Sequence, residues 1–180
     1  MRRPTTRTAA HASAAVIAVL AALEPAIAQQ DSPFGGFKHD NTQPIEITSD
    51  ALEVQQANNL AIFSGAVIAG QGTLRLTADR VEVYYDTENS QGSTGAIQRL
   101  RAEGNVLLSN GAETARGAWG EYNVGAGTMQ LGGSVVLSQG ENAISGESLT
   151  INLTQGTGRI EGGGGGRVKS VFTPGQAPGN

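Results

Sequence analysis

The sequence predicts an all-β protein built from tandem strand pairs, and three features of its 180 residues predict it. From Pro44 onward, apolar residues recur at every second position, which is the spacing of a strand with one buried face. Gly, Asn and Gln-Gly pairs interrupt these runs at short intervals, as turns between strands do. No stretch after residue 28 sustains a helical period over three turns.

The first 28 residues carry the three-part pattern of a secretory signal peptide. They begin with Arg2, Arg3 and Arg7, continue with an apolar run at residues 12–23, and end with Ala-Ile-Ala, the small-x-small form of a cleavage site. This apolar run is too short for a membrane anchor, which needs about 20 residues. We therefore expect residues 1–28 to be a cleaved N-terminal signal peptide.

The remaining chain divides by composition into three parts. Residues 29–43 are polar, contain Gly and Pro and have no period, which predicts a flexible lead-in. Residues 44–172 carry the period-two pattern and form the predicted β domain. Residues 173–180 are rich in Gly and Pro and are predicted to be a flexible tail.

Charge and composition restrict the function classes. Without residues 1–28 the chain keeps 9 basic and 15 acidic residues, a net charge near −6, which opposes binding to nucleic acid. There is no cysteine, so neither a disulfide nor a thiolate metal site is available. Export without a second apolar run of membrane-spanning length predicts a soluble periplasmic protein.

A sequence repeat runs along the chain. The segments ITSDALEV, LTADRVEV, ARGAWGEY and ISGESLTI align from Ile47, Leu76, Ala115 and Ile144, at offsets of 29, 39 and 29 residues. A glycine then recurs at Gly65, Gly104 and Gly133, each followed two residues later by valine. The ten extra residues fall in an insertion between Tyr85 and Leu100. A period of this size indicates units that bury their apolar face only against their neighbours.

The sequence offers little catalytic chemistry. After the signal peptide one histidine remains, His39, so no Ser-His-Asp set and no ordinary zinc site can be assembled. A carboxylate pair can hydrolyse a glycoside, but the five candidate carboxylates alternate with the apolar set and are predicted to face solvent. They are Glu46, Glu53, Glu82, Glu121 and Glu147. We expect no enzyme, no cofactor and no metal.

Two local features stand outside the alternation. The glycine run from Glu161 to Arg167 lacks the Lys and the helix of a phosphate-binding loop and is predicted to be a flexible connection. Trp119, the single tryptophan, falls on the outer face by register. A bulge in its strand would instead turn it into the core, and both placements remain open.

The alternation places a large set of apolar residues on the inner face. In a closed sandwich these side chains fill one another's gaps, whereas in a sandwich with open edges they line an apolar groove, and periodicity alone does not separate the two. The set is Ile45, Ile47, Leu52, Val54, Phe63, Val67, Leu74, Leu76, Val81, Val83, Val106, Leu108, Tyr122, Met129, Leu131, Val135, Leu137, Ile144, Leu149 and Ile151.

Residues 40–85 resemble the LptA (OstA-like) family of periplasmic lipopolysaccharide-transport proteins. The resemblance rests on QPIEITSD, the hairpin FSGAVIAGQGT and the strand LTADRVEV. It continues through LGGSVVLSQG, GESLTI and the closing GRVKSVFTPGQ, so it covers nearly all of the chain after residue 39. It implies a twisted, open-ended β-jellyroll whose inner residues line an apolar groove for the acyl chains of lipid A.

The resemblance also implies partners. Family members form a passive bridge between an LptC-type inner-membrane protein and an LptD-type outer-membrane protein and stack end to end. Unpaired terminal strands fit this role, because their free backbone groups can pair with a neighbour. The predicted edges are Pro44, Ile45, Glu46 and Ile47 at the first strand, and Arg167, Val168, Lys169, Ser170, Val171 and Phe172 at the last. The alternative is an edge-pairing β scaffold that binds protein partners and no lipid.

Overall fold

The computed structural model describes residues 36–86 and 96–173. The predicted signal peptide, the first part of the lead-in, most of the insertion after Tyr85 and the tail beyond residue 173 lie outside the described residues. Within these ranges the chain forms ten β-strands and one short 3₁₀ turn, Gln56–Asn58. The strands are β1 (Ile45–Thr48), β2 (Ala51–Gln55), β3 (Leu60–Gln71), β4 (Leu74–Asp86), β5 (Ala96–Ser109), β6 (Glu113–Asn123), β7 (Thr128–Gln139), β8 (Asn142–Asn152), β9 (Thr157–Glu161) and β10 (Lys169–Val171). The predicted all-β class is confirmed.

All ten strands belong to one antiparallel sheet in which neighbours in the chain are neighbours in the sheet, from β3 to β8. At one edge, β1 and β2 pair with the two halves of β3. At the other edge, β9 and β10 pair in the same way with the two halves of β8. The sheet is therefore open, and each edge is made of a strand that is broken in the middle.

The recurring glycines mark the positions where the long strands bend. The register shifts at each of them, which is the signature of a β-bulge. Gly65, Gly104 and Gly133 have φ angles of 81°, 77° and 78°, and the residue after each also has a positive φ. Such angles are uncommon outside glycine, so the repeated Gly-x-Val signal encodes a bend at one level of the sheet.

The three bend glycines have close neighbours as well as a left-handed backbone conformation. A Cβ atom at Gly65 would collide with Asp50, one at Gly104 with Asp79, and one at Gly133 with Ala118. These three neighbours occupy the same place in the aligned repeats. The glycines are thus required both by their backbone angle and by lack of space.

The bends divide the sheet into two leaves that face each other. Leaf A comprises residues 45–48, 67–78, 106–117, 135–146 and 169–171, and leaf B comprises residues 51–64, 80–86, 96–103, 119–132 and 148–161. Apolar side chains from both leaves form one buried cluster. A hydrogen bond across the interior also joins the two leaves: the Tyr122 hydroxyl donates to Oε1 of Gln71 at 3.0 Å. Each fully buried Val or Leu in this cluster contributes about 1.5–3 kcal/mol.

The structure decides where Trp119 points. A register shift does lie between Arg116 and Trp119, and it resets the alternation so that Gly120 and Tyr122 face inward. Trp119 pairs with Glu103 and Gly132 on the outer face. Its indole covers Gly132, where a Cβ atom would collide with the ring. The bulge therefore exists, and the tryptophan is nevertheless outside the core.

The structure adds detail to three predicted segments. The glycine run forms the corner between β9 and β10, with positive φ at Gly163, Gly164 and Gly165 and a hydrogen bond from Gly166 N to Gly163 O at 2.6 Å. The edge strands are shorter or shifted, so Pro44, Arg167, Val168 and Phe172 flank them. The predicted flexible lead-in, residues 29–43, is described from residue 36 onward, and there Phe37 is 3 % exposed and belongs to the core cluster.

Candidate functional site

The space between the leaves is the main candidate site. Most of the predicted inner residues are buried there, and Ile45, Ile47 and Phe63 are partly buried against them. Ile144 faces inward and is partly buried near the β10 edge. The buried members of the predicted set are Val67, Leu74, Leu76, Val81, Val83, Val106, Leu108, Tyr122, Met129, Leu131, Val135, Leu137, Leu149 and Ile151.

Leu52 and Val54 depart from the predicted burial. They pair with Phe63 and Ala61, so they lie on the inner face as expected. They are nevertheless 56 % and 61 % exposed, because β2 is an edge strand and no strand of the described residues lies beyond it. Alternation along a strand specifies the face of a side chain, but it does not specify whether a neighbour covers it.

The core also contains residues that the alternation did not identify. Leu100 lies beside the insertion, where it packs between Val83 and Tyr122 on the inner face. Leu153 follows the end of β8, and Phe37 precedes the first strand, so neither belongs to a periodic run. The remaining members are small, namely Ala61, Ala69, Ala78, Ala102 and Ala115. Counting alanine as apolar within the strands identifies these five.

The interior is closed in this conformation. Between the leaves lies a cavity of about 30 Å³ lined by Ile45, Ala69, Gly70, Gln71, Leu74, Leu76, Leu100, Leu108, Tyr122 and Met129. By the same measure one water molecule needs about 10–15 Å³, so this space has room for about two water molecules. Around it the apolar side chains of both leaves form one buried cluster, which is the packing that the closed-sandwich alternative describes.

A polar group stands at the margin of this apolar interior. Gln71 is 5 % exposed and lies at the end of β3. Its Nε2 donates to the carbonyl oxygens of Asn41 and Gln43 at 2.9 and 2.8 Å, while its Oε1 accepts from Tyr122. Burial raises the pKa of the Tyr122 hydroxyl above its usual value of 10.0. All three hydrogen-bonding atoms at this point are therefore paired within the protein.

Residues 36–43, called here the mouth strap, cross the side of the molecule opposite the bends. They reach leaf A through Gln71 and through Glu113, whose Oε1 accepts from Gly36 N at 3.2 Å. They reach leaf B where His39 N donates to Leu153 O at 2.7 Å and Asn41 Nδ2 donates to Val124 O at 3.1 Å. The strap thus spans the gap between the free ends of the two leaves.

A tight turn shapes the middle of the mouth strap. Oδ1 of Asp40 accepts hydrogen bonds from Thr42 Oγ1 at 2.6 Å and from Thr42 N at 3.0 Å. The bond from the Thr42 hydroxyl is the largest cause that lowers the pKa of Asp40 below its usual 3.8. This Asx-type turn directs the chain from leaf B back toward Gln43 and the start of β1.

The outer face of leaf B carries paired charges. Arg80 contacts Glu82 at 2.9 Å, and Arg101 contacts Glu103 at 3.0 Å. Arg99 lies 4.2 Å from the centre of the Tyr84 ring, and the Tyr84 hydroxyl bond to Glu82 is the main cause that lowers the pKa of that carboxyl group. Exposed pairs of this kind contribute little to stability.

The other chemical candidates can be placed as well. Glu46, Glu53 and Glu147 are exposed, and Glu82 and Glu121 are partly buried within the outer ion pairs. In residues 36–86 and 96–173, no group of three or more His, Cys, Asp or Glu side chains is arranged to hold a metal ion. The same residues contain no helix with the length and apolar character needed to cross a bilayer.

Both sheet edges expose apolar residues. Leu52 and Val54 lie on β2 at one edge. Val168, Val171 and Phe172 lie on or beside β10 at the other and are between 43 % and 63 % exposed. Each edge therefore combines an unpaired strand with apolar side chains, which is the surface that strand addition by a neighbour uses.

A family model described as LptA/(LptD N-terminal domain) LPS transport protein matches residues 46–157. The chain belongs to this family. The matched range includes most of β1, all of β2 to β8 and the first residue of β9, so it covers nearly all of both leaves. Membership in the LptA/LptD N-terminal family confirms the resemblance seen in the sequence, and the family is one of transport proteins.

Individual relatives agree with this assignment. An uncharacterised protein of Rhizobium meliloti strain 1021 is 36 % identical over 142 residues, which cover 77 % of this chain and 76 % of that one. The lipopolysaccharide export system protein LptA of Escherichia coli K12 is 25 % identical over 144 residues, covering 76 % and 75 %. The LPS-assembly protein LptD of Neisseria meningitidis strain Z2491 is 29 % identical over 136 residues, which are 72 % of this chain and 16 % of LptD.

A solved structure shows the same fold. LptH of Pseudomonas aeruginosa, described as the LptA-homologous periplasmic component of a lipopolysaccharide transport device, matches with a TM-score of 0.64 at 19 % identity. The match covers 75 % of this chain and 99 % of LptH. The predicted β-jellyroll architecture is thereby confirmed.

Proposed function

We propose that this member of the LptA/LptD N-terminal family is a passive periplasmic carrier of lipopolysaccharide. Its two leaves shield the acyl chains of lipid A while the sugar remains in water, and the protein forms part of a bridge between the inner and outer membranes. Cleavage of the signal peptide at residues 1–28 delivers it to the periplasm. Family membership and the names of the LptA and LptH relatives support this proposal.

The observation that carries the proposal is the construction of the interior. Both inner faces are apolar except at the strand ends, where Gln71 and Glu113 are buried, and in the described residues the chain passes from one leaf to the other at the bends. Away from the bends the leaves meet through side chains, so their separation leaves the sheet hydrogen bonds within each leaf intact. Acyl chains then replace the lost contacts, at about 0.8 kcal/mol for each buried methylene.

The carrier has no energy source of its own. The sequence contains no G-x-x-x-x-G-K-[ST] phosphate-binding loop. A lipid that is held by several acyl chains leaves such an interior slowly, so transfer requires a driving force from a partner. We propose an LptC-type protein of the inner membrane as the donor and an LptD-type protein of the outer membrane as the acceptor.

Contacts with these partners and with further copies of this chain are proposed at the two sheet edges. A strand of a neighbour that pairs with β1 and β2, or with β9 and β10, satisfies the free backbone groups and covers the exposed apolar residues. Removal of residues 167–180 deletes β10, and head-to-tail association is expected to fall. Analytical ultracentrifugation measures this, and unchanged association would contradict the edge assignment.

A matched pair of tyrosines tests lipid binding between the leaves. Tyr122 points into the interior and Tyr84 lies on the outer face of leaf B. With a photoreactive benzoylphenylalanine at position 122, we expect a covalent adduct with lipopolysaccharide after irradiation. The same residue at position 84 is the control and is expected to give none.

The edge-pairing scaffold is the second candidate, and the small interior cavity together with the exposed edges favours it. It predicts no adduct at either tyrosine position and no lipid in mass spectra of the protein purified from its host. Lipid recovered with the protein and cross-linked at position 122 excludes it. Equal cross-linking at both positions would oppose the carrier proposal, because it indicates nonspecific contact.

A further inference from the structure

The mouth strap places an apolar side chain of the protein itself in the space that a lipid needs. Phe37 is 3 % exposed and belongs to the same core cluster as the inner residues of both leaves. Its neighbours in the chain, Gly36 and Lys38, are exposed. Within the strap, Phe37 is therefore the anchor, and it occupies the interior as an apolar ligand would.

The strap also holds the two leaves together on the side away from the bends. Gln71 and Glu113 bind it on leaf A, and the carbonyl groups of Val124 and Leu153 bind it on leaf B. Leaf separation at this side breaks at least one of these two sets of contacts. The bound strap therefore opposes separation of the leaves on this side.

The attachment of the strap is weak compared with that of a strand. Its described hydrogen bonds to the leaves are few, and it forms no strand ladder with either leaf. Nε2 of His39 is buried and has no hydrogen-bond partner among residues 36–86 and 96–173, and a buried polar atom without a partner costs free energy. Segments with few contacts and exposed backbone bonds open at lower free energy than the sheet around them.

We infer that the mouth strap, residues 36–43, is a lid that the protein closes with Phe37 when no lipid is bound and releases when acyl chains enter. The inference rests on the proposed carrier function. Lipid and Phe37 compete for one interior, so lipid binding requires a molecule in which the strap has left. The closed fraction of molecules then lowers the apparent rate and affinity of lipid uptake.

A spin label on the strap reports its release directly. The chain has no cysteine, so Lys38→Cys provides a single attachment site at an exposed residue beside Phe37. We expect a restricted electron paramagnetic resonance spectrum in the free protein and a mobile one after addition of lipopolysaccharide. A label on Gln130→Cys, on the exposed outer face of β7, is the control and is expected to stay unchanged.

Uptake kinetics test the role of the anchor. Removal of the Phe37 ring in Phe37→Ala raises the open fraction, and we expect the association rate of fluorescein-labelled lipopolysaccharide to increase about tenfold. Lys38→Ala changes the adjacent exposed side chain and is expected to bind at the wild-type rate. If Phe37→Ala does not fold, a chain that starts at Pro44 lacks the whole strap and takes its place.

The outcomes separate the lid from the carrier. Faster uptake by Phe37→Ala together with release of the Lys38→Cys label supports the lid. Lipid binding at an unchanged rate, or binding while the label stays restricted, overturns the lid and leaves the carrier intact. Absence of lipid binding in the wild type, in Phe37→Ala and in the strap-deleted chain overturns both.

Discussion

The leaves are held together differently at the bends and at the opposite side, called here the mouth, where the mouth strap lies. At the bends the connection is the chain itself, repeated at Gly65, Gly104 and Gly133 with almost the same backbone angles. At the mouth it is one segment and the bond between Tyr122 and Gln71. In the proposed carrier the bends are the hinge and the opposite side opens, and three predictions test this comparison.

The largest effect is expected at a bend. Gly104→Ala forces a side chain into a left-handed position and against Asp79, which is expected to lower the free energy of unfolding by about 3 kcal/mol. Urea denaturation measures it. Gly111, in the turn after β5, is the matched control, because its φ is +96° but nothing lies within 4 Å of a Cβ there.

Gly111→Ala therefore isolates the backbone cost and is expected to destabilise the fold by about 1–2 kcal/mol. In a Gly104→Ala background, replacement of Asp79 by Ala relieves the collision, so the double variant is expected to be less destabilised than the sum of the single ones. Equal losses at Gly104 and Gly111 would mean that crowding plays no part in the bend.

A smaller effect is expected at the mouth. Tyr122→Phe leaves Oε1 of Gln71 buried without its donor, at a cost of about 1 kcal/mol. The raised pKa of Tyr122 adds a pH signature. The neutral hydroxyl is favoured by the fold, so its contribution is complete below pH 10.0 and is lost as the pH rises through the folded pKa. Thermal unfolding of Tyr122→Phe is expected to lack this alkaline decline.

The smallest effect concerns the turn in the strap. The pKa of Asp40 is lowered in the folded state by the bonds from Thr42, so the turn is fully stabilised above pH 3.8 and weakens as the pH falls through the folded pKa. A spin label on Lys38→Cys is expected to become more mobile in that acidic range. Asp40→Asn keeps the turn geometry without the charge, and its label should not respond to pH there.

The sequence predicts the bends better than the mouth, and there is a physical reason. Strand alternation and the repeated Gly-x-Val follow from local backbone geometry, so they identify the inner face and the position of each bend. They do not specify on which face of the sheet Trp119 lies after the bulge. They also do not show that Leu52 and Val54, on an edge strand, have no neighbour to cover them. Both outcomes depend on neighbours that lie far away in the chain.

The strap was the least predictable part. Residues 36–43 contain no periodic apolar pattern, and a single Phe37 among polar residues gives no signal of burial. Its contacts reach Glu113 and Leu153, more than seventy residues away, and only the folded sheet brings them together. Leu100 was missed for a related reason, since the insertion before it interrupts the repeat.

The breaks in the two outermost strands have a consequence for assembly. The chain turns at residues 49–50 between β1 and β2, and at Gly162–Gly166 between β9 and β10, at the level where the inner strands bend. Each broken edge strand therefore repeats the shape of the bent strands inside the sheet. In the proposed assembly, a second molecule that pairs with either edge meets a strand broken at the same level as its own edge strand, so the inner faces of the two copies line up.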